Sequence, residues 1–180
     1  MRTLADLHPD DLANRDHLAA ELRALRQTAG MSMRDLGNLL GCHRSNINVM
    51  ERHRAWRFMI LAGWARAFDK RITLTITGQP VPDDGDQLAD IYAKQQPTSP
   101  RAQDLLLLRA TTRDLVRIRQ QHYTADDVAA HLGCGATAVY WWEDNPDGTS
   151  LLMMQRYARA VGCQVVADLA PVGVLEKVAA

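Results

Sequence analysis

The chain has 180 residues, with 21 basic and 21 acidic side chains and no formal net charge. Hydrophobic residues make up 47% and charged residues 23%, which excludes a disordered tail, a collagen or a coiled coil. No apolar run approaches the ~18 residues of a membrane span, and MRTLADLHPDDLANRD at the start lacks the apolar stretch of a signal peptide. The expectation is one large domain or two small ones in the cytoplasm. Three cysteines, at 42, 134 and 163, form no CxxC, and the six histidines form no HExxH. No disulfide framework, metal site or cofactor is expected. GxSxG, GxGxxG and phosphate-loop patterns are also missing, so the chain reads as a non-enzyme.

In chain order, Leu18, Leu22 and Leu25 fall at helical spacing. Asn14 or Asp16 offers a cap at one end and Gly30 a stop at the other. Ser32 is suited to cap a second, short helix with Leu36, Leu39 and Leu40 on its inner face. Gly41 ends that helix in a left-handed conformation. Cys42 points inward, and His43 opens a third helix with Ile47 and Met50 inside. Helix, tight glycine turn and helix make a helix-turn-helix unit. A fourth helix is predicted over 56–68, and the β-branched ITLTI (72–76) as a strand. GQPVPDDGDQ (78–87) reads as a linker. LADIYAKQQ (88–96) supplies a helical turn or two, PTSP breaks it, and a long helix starts at Arg101.

Compared with itself, the chain repeats. GMSMRDLGNLLGCHRSNINVMER (30–52) aligns with HYTADDVAAHLGCGATAVYWWED (122–144) at a constant offset of 92. LRALRQ (22–27) aligns with LVRIRQ (115–120), and WARAFDKRITLTI (64–76) with YARAVGCQVVADL (157–169), both at offset 93. Cys42 and Cys134, in equivalent turns, are expected to be buried packing residues. Asp126 and Asp127 are expected to favour a helix dipole. The predicted organisation is a domain over 1–77, a linker over 78–100 and a second domain over 101–180.

The stretch LRALRQTAGMSMRDLGNLLGCHRSNINVMER resembles the Cro and lambda-repressor (XRE-like) helix-turn-helix family. The likeness spans about 55 residues in each half of the chain. It implies a mainly α fold of two such bundles, each followed by a short strand. Lone strands leave unpaired edges, so 72–76 and 165–169 are expected to pair, either with each other as a single-chain pseudo-dimer or with a second chain by self-association. Where the family often carries Gln after the capping Ser, this chain has Met33, and Arg34 is the candidate to replace its backbone contact.

The resemblance implies that the third helix enters the major groove of double-stranded DNA. His43, Arg44, Ser45, Asn46 and Asn48 then meet base edges, since Arg suits guanine, Asn suits adenine and Ser either. Ser32, Arg34, Arg52, His53, Arg54 and Arg57 meet phosphates. Residues 23–71 hold ten basic and three acidic side chains, net +7, whereas 115–167 hold four and five, net −1. In the second copy Thr137, Ala138 and Tyr140 are candidate base contacts and Thr124 a phosphate contact. Trp141, expected to be exposed, is a candidate protein interface. Family analogy implies a nucleoid-associated transcription regulator, a repressor of phage or mobile-element type. The alternative is an antitoxin-like protein whose second copy binds a protein partner.

Overall fold

The computed structural model describes residues 8–52, 57–83 and 85–172. Among them run α1 (Pro9–Thr28), α2 (Met33–Leu39), α3 (Arg44–Glu51), α4 (Phe58–Arg66), β1 (Lys70–Thr77), α5 (Gln87–Lys94), α6 (Pro100–His122), α7 (Ala125–Leu132), α8 (Ala136–Asp144), α9 (Leu151–Ala160) and β2 (Gln164–Pro171). The fold is mainly helical with one small antiparallel sheet. No described helix is long and apolar enough to cross a membrane.

Matching local chemistry builds the two halves. Ser32 caps α2 with a reciprocal box: its hydroxyl accepts from the Asp35 N–H (3.2 Å), and the Asp35 carboxylate accepts from the Ser32 N–H (3.1 Å). Thr124 and Asp127 repeat this on α7 at 3.2 and 2.8 Å. Each box satisfies two backbone donors that a helix start otherwise leaves open. Gly41 and Gly133 both take left-handed φ, 65° and 70°, and turn the chain into α3 and α8. Leu36, Ile47 and Met50 are buried in the first half; Val128, Val139 and Trp142 are buried at the equivalent places in the second.

An ion pair then fastens each third helix to the first. Arg26 donates to both carboxylate oxygens of Glu51, at 2.6 and 3.2 Å. Arg119, 93 residues on, donates to both oxygens of Glu143, at 2.7 and 2.9 Å. The four side chains are at most 10% exposed. Bidentate geometry offsets the desolvation of such buried charges. Tyr157 adds a hydroxyl donor to Glu143 at 2.5 Å, and burial pushes its own ionisation far up.

β1 and β2 pair with each other, Ile72 opposite Leu169 and Ile76 opposite Val165. At the centre Leu74 faces Ala167, a separation of 93, the same offset at which the repeat aligns. A second antiparallel bridge joins Arg57 to Ser150, again 93 apart. Two further contacts are reciprocal at that spacing. Arg159 on α9 donates to Asp11 on α1 at 2.7 Å, while Arg66 on α4 pairs with Asp104 on α6. Asn14 completes the outer edge of β2, donating to the Ala167 carbonyl (2.9 Å) and accepting from its N–H (3.0 Å).

Three local expectations are corrected. His8, not Asn14 or Asp16, caps α1, because the helix starts at Pro9, whose fixed φ suits a first position. Leu39 is 59% exposed instead of facing the core. It borders a cavity of about 440 Å³ lined also by Leu40, Met59, Ile60 and Gly63, and Gly63 offers no side chain to cover it. In the second half Arg156 stands 93 residues after Gly63 and reaches back to the Leu132 carbonyl at 2.9 Å. Cys134 is exposed, not buried. Both turns are closed by the same backbone bond, from Cys42 N–H to the Gly37 carbonyl (2.8 Å) and from Cys134 N–H to the Ala129 carbonyl (3.0 Å), so neither turn depends on packing of the thiol. α5 is the helical turn or two expected at 88–96, and Arg113 on α6 pairs with Asp86 just ahead of it.

Glu51→Ala or Glu143→Ala leaves a buried guanidinium uncompensated, which costs about 3–5 kcal/mol. Urea unfolding is expected to show a lower midpoint with unchanged slope for each variant.

Hydrogen bonds from the Ser32 hydroxyl and N–H hold the Asp35 carboxyl below the usual carboxylate range, and Thr124 does the same for Asp127. Depressed folded values mean that both caps are fully formed above about pH 4 and weaken as pH falls through the lowered values. NMR titration of the two carboxyls is expected to show midpoints below those of exposed aspartates.

Candidate nucleic-acid interface

α3 divides cleanly. Ile47, Met50 and Glu51 are buried, whereas Arg44, Ser45 and Asn46 are exposed and Asn48 is half-buried. His43 caps the helix: its Nδ1 accepts from the Ser45 N–H (3.3 Å) and lies 2.8 Å from the Ser45 hydroxyl. With Nδ1 accepting, a neutral ring presents Nε2–H outward as a donor. The N-terminal end of α3 therefore displays an imidazole donor, a guanidinium, a hydroxyl and a carboxamide side by side. That set can address the N7 and O6 acceptors of guanine and the N6/N7 edge of adenine.

The surround is basic. Arg34, Arg52 and Arg57 are exposed. Arg52 caps the C-terminus of α3, and Arg57 stands just before α4. His53 and Arg54 lie outside the described residues. Ser32 and Thr124 are exposed, but their hydroxyls are committed to Asp35 and Asp127 as helix caps, at 2.5 and 2.6 Å. Arg23, which the sequence reading passed over, donates to the Glu51 carbonyl and lies 3.6 Å from the Glu51 carboxylate. It satisfies an open carbonyl at the end of α3. Arg23 and Arg26 thus anchor the helix, and among the described residues around α3 the arginines left facing solvent are Arg34, Arg44, Arg52 and Arg57.

In the second half Thr137, Ala138 and Tyr140 are exposed on α8, and Trp141 is 66% exposed. Trp142 is buried against Tyr157, their ring centroids 4.5 Å apart. The Arg119 guanidinium lies 5.8 Å from the Tyr140 ring centroid, a cation–π contact that fixes the ring's place. None of the four outward arginines has a basic counterpart here. Asp126, Ala136, Asp144 and Ser150 stand at the positions of Arg34, Arg44, Arg52 and Arg57. The opposed pairs Arg34/Asp126 and Arg52/Asp144 could have been read from the offset of 92. Among the described residues no cluster of His, Cys, Asp and Glu suits a metal ion.

Residues 17–57 match the family model described as "Helix-turn-helix domain". The match covers α2, the glycine turn and α3 with most of α1, the elements that hold the basic face together. This segment is similar to helix-turn-helix domains. No curated protein and no solved structure matches the chain.

Asn46→Ala is expected to weaken binding to the cognate duplex by about 1–3 kcal/mol and to relax preference at one base pair. Arg52→Ala is expected to weaken all sequences alike and to lower the salt slope by about one. Anisotropy titrations over a salt series on cognate and random duplexes check both.

Proposed function

We propose that the chain is a sequence-specific double-stranded-DNA-binding transcription regulator of the repressor kind, acting as its own dimer on an asymmetric site. The observation that carries the reading is the exposed His43–Arg44–Ser45–Asn46 set on the outer face of α3, ringed by Arg34, Arg52 and Arg57. α3 is the major-groove element in this reading, with Asn48 at its edge and phosphates held by the arginines. His53 and Arg54 belong to the same basic stretch of sequence.

The repeat supports the single-chain part. Leu74 with Ala167 and Arg57 with Ser150 are pairs of equivalent positions facing each other. Only residues on a two-fold axis can meet their own equivalents. Asp11–Arg159 and Arg66–Asp104 are one contact made twice across that axis. In this reading 1–77 and 101–180 are two related domains, joined by 78–100, and α3 and α8 are two-fold mates. Arg57 and Ser150, which meet in that bridge, are the residues just before α4 and α9. In this reading the two reader helices address major-groove segments about 34 Å apart along B-DNA.

Unlike identical subunits, the two halves carry different outward residues, so the site they address has no palindromic symmetry. Selection of bound sequences from a random duplex pool is expected to yield one long asymmetric motif. Sedimentation at micromolar concentration is expected to give a 20 kDa particle, and one chain per duplex when bound. A palindromic motif bound by two chains would overturn the single-chain reading, and no enrichment would overturn sequence-specific binding.

A further inference from the structure

We infer that α8 reads its half of the site through the C5-methyl groups of pyrimidines, thymine or 5-methylcytosine, and not through polar base edges. The inference rests on the single-chain two-fold reading above. Position by position at offset 92, the polar reader face of α3 is replaced by an apolar one: Ala136 stands for Arg44, Thr137 for Ser45, Ala138 for Asn46, Tyr140 for Asn48 and Trp141 for Val49. The buried face is kept, with Val139 for Ile47 and Trp142 for Met50, both at most 5% exposed. The change is therefore confined to the outward side.

Thr137, Ala138 and Trp141 lie at i, i+1 and i+4, on one face of the helix. All three are exposed. A large indole left open to water is unfavourable unless something apolar covers it. The rest of the surface is a poor match for phosphate. Asp126 and Asp144 replace two arginines, Gly135 replaces His43 as the cap residue, and Arg119 is occupied by Glu143 and the Tyr140 ring. Affinity from this half must then come from the floor of the groove. Pyrimidine C5-methyl groups are the apolar feature of that floor, and they project into the major groove alone. In the single-chain reading α8 meets the same duplex as α3 about one helical turn away, and Thr137, Ala138 and Trp141 are then the side chains that face its groove floor.

The test uses the full chain and its selected duplex. Thymines are replaced by deoxyuridine, which removes the methyl and keeps the pairing, in one half-site at a time. Anisotropy titration is expected to show about a fourfold loss for each contacted methyl in the α8 half and no comparable series in the α3 half. Methylating cytosines at C5 in the α8 half is expected to tighten binding if methylcytosine is accepted. Thr137→Ser combined with Trp141→Ala, both at exposed positions, is expected to erase the thymine–uracil difference. Equal affinity for thymine and uracil, with a hydroxyl-radical footprint across both half-sites, would overturn methyl reading and leave the single-chain reading standing. A footprint confined to the α3 half would overturn both and assign the Tyr140–Trp141 face to a protein partner.

Discussion

β1 and β2 each have one hydrogen-bonded neighbour, and that neighbour is the other. An isolated two-stranded ribbon is marginal in water, so this one depends on what covers it. Ile72, Val165 and Ala167 are buried beneath the surrounding helices. Asn14 closes the free edge at Ala167 with a carboxamide that imitates a further strand, which removes a site for unwanted pairing. Because the ladder is centred on Leu74 and Ala167, any shift by one residue would turn Ile72 and Val165 from core to solvent. The same shift would separate Arg159 from Asp11 and Arg66 from Asp104. Register, burial and the two cross-links therefore specify one arrangement together, and each half completes the other.

Within each half the corresponding constraint is the buried Arg–Glu pair. It ties α1 to α3 through Arg26 and Glu51, and α6 to α8 through Arg119 and Glu143. Hydrophobic contacts alone would let a short helix such as α3 rotate by a fraction of a turn at little cost. A bidentate guanidinium–carboxylate pair has a narrow angular optimum, so it fixes which side chains face out. That is the requirement for base reading, where displacement of a donor by an ångström forfeits the hydrogen bond. The ion pair thus connects the core to the outward row of His43, Arg44, Ser45 and Asn46.

Much of this was legible in the sequence because the repeat is spelled in the residues that hold the fold. The capping boxes, Leu-Gly-Cys turns, inner faces of α3 and α8, and the two strands follow from periodicity and from the constant offset, whereas the sequence left open whether the strands pair with each other or with a second chain; in the structure β1 pairs with β2. The misses have a common physical origin. Leu39 was placed inward by pattern, but its exposure depends on Gly63 two elements away, which no local window contains. Cys134 is expected inward by analogy with Cys42, which is half-buried, although the backbone closes both turns without help from the thiol. Asn14 was read as a cap because that is the commonest local use of the residue; its partner lies 153 positions away on β2. The reciprocal ion pairs escaped notice for the same reason, although Asp11 and Asp104 share the spacing of Arg66 and Arg159. On the candidate site, exposure agrees with the outward pattern of α3, and Ser32 makes the cap expected of it while Thr124 makes the equivalent cap on α7.

Fusion of two unlike halves changes what a helix-turn-helix protein can recognise. Identical subunits force identical half-sites, and their pairing falls off with dilution. Two halves in one chain meet at the fixed effective concentration set by their link and are free to differ. Here the difference is one of kind. The stretch 23–71 carries net +7 and 115–167 net −1, so phosphate attraction, which is blind to sequence, is concentrated on one side. Adding the same basic set to the second half would raise affinity for every duplex equally and dilute discrimination. In the proposed reading, a neutral chain with one charged reader and one apolar reader avoids that outcome: the first half would supply the grip, and the second would contribute only where the groove floor matches it.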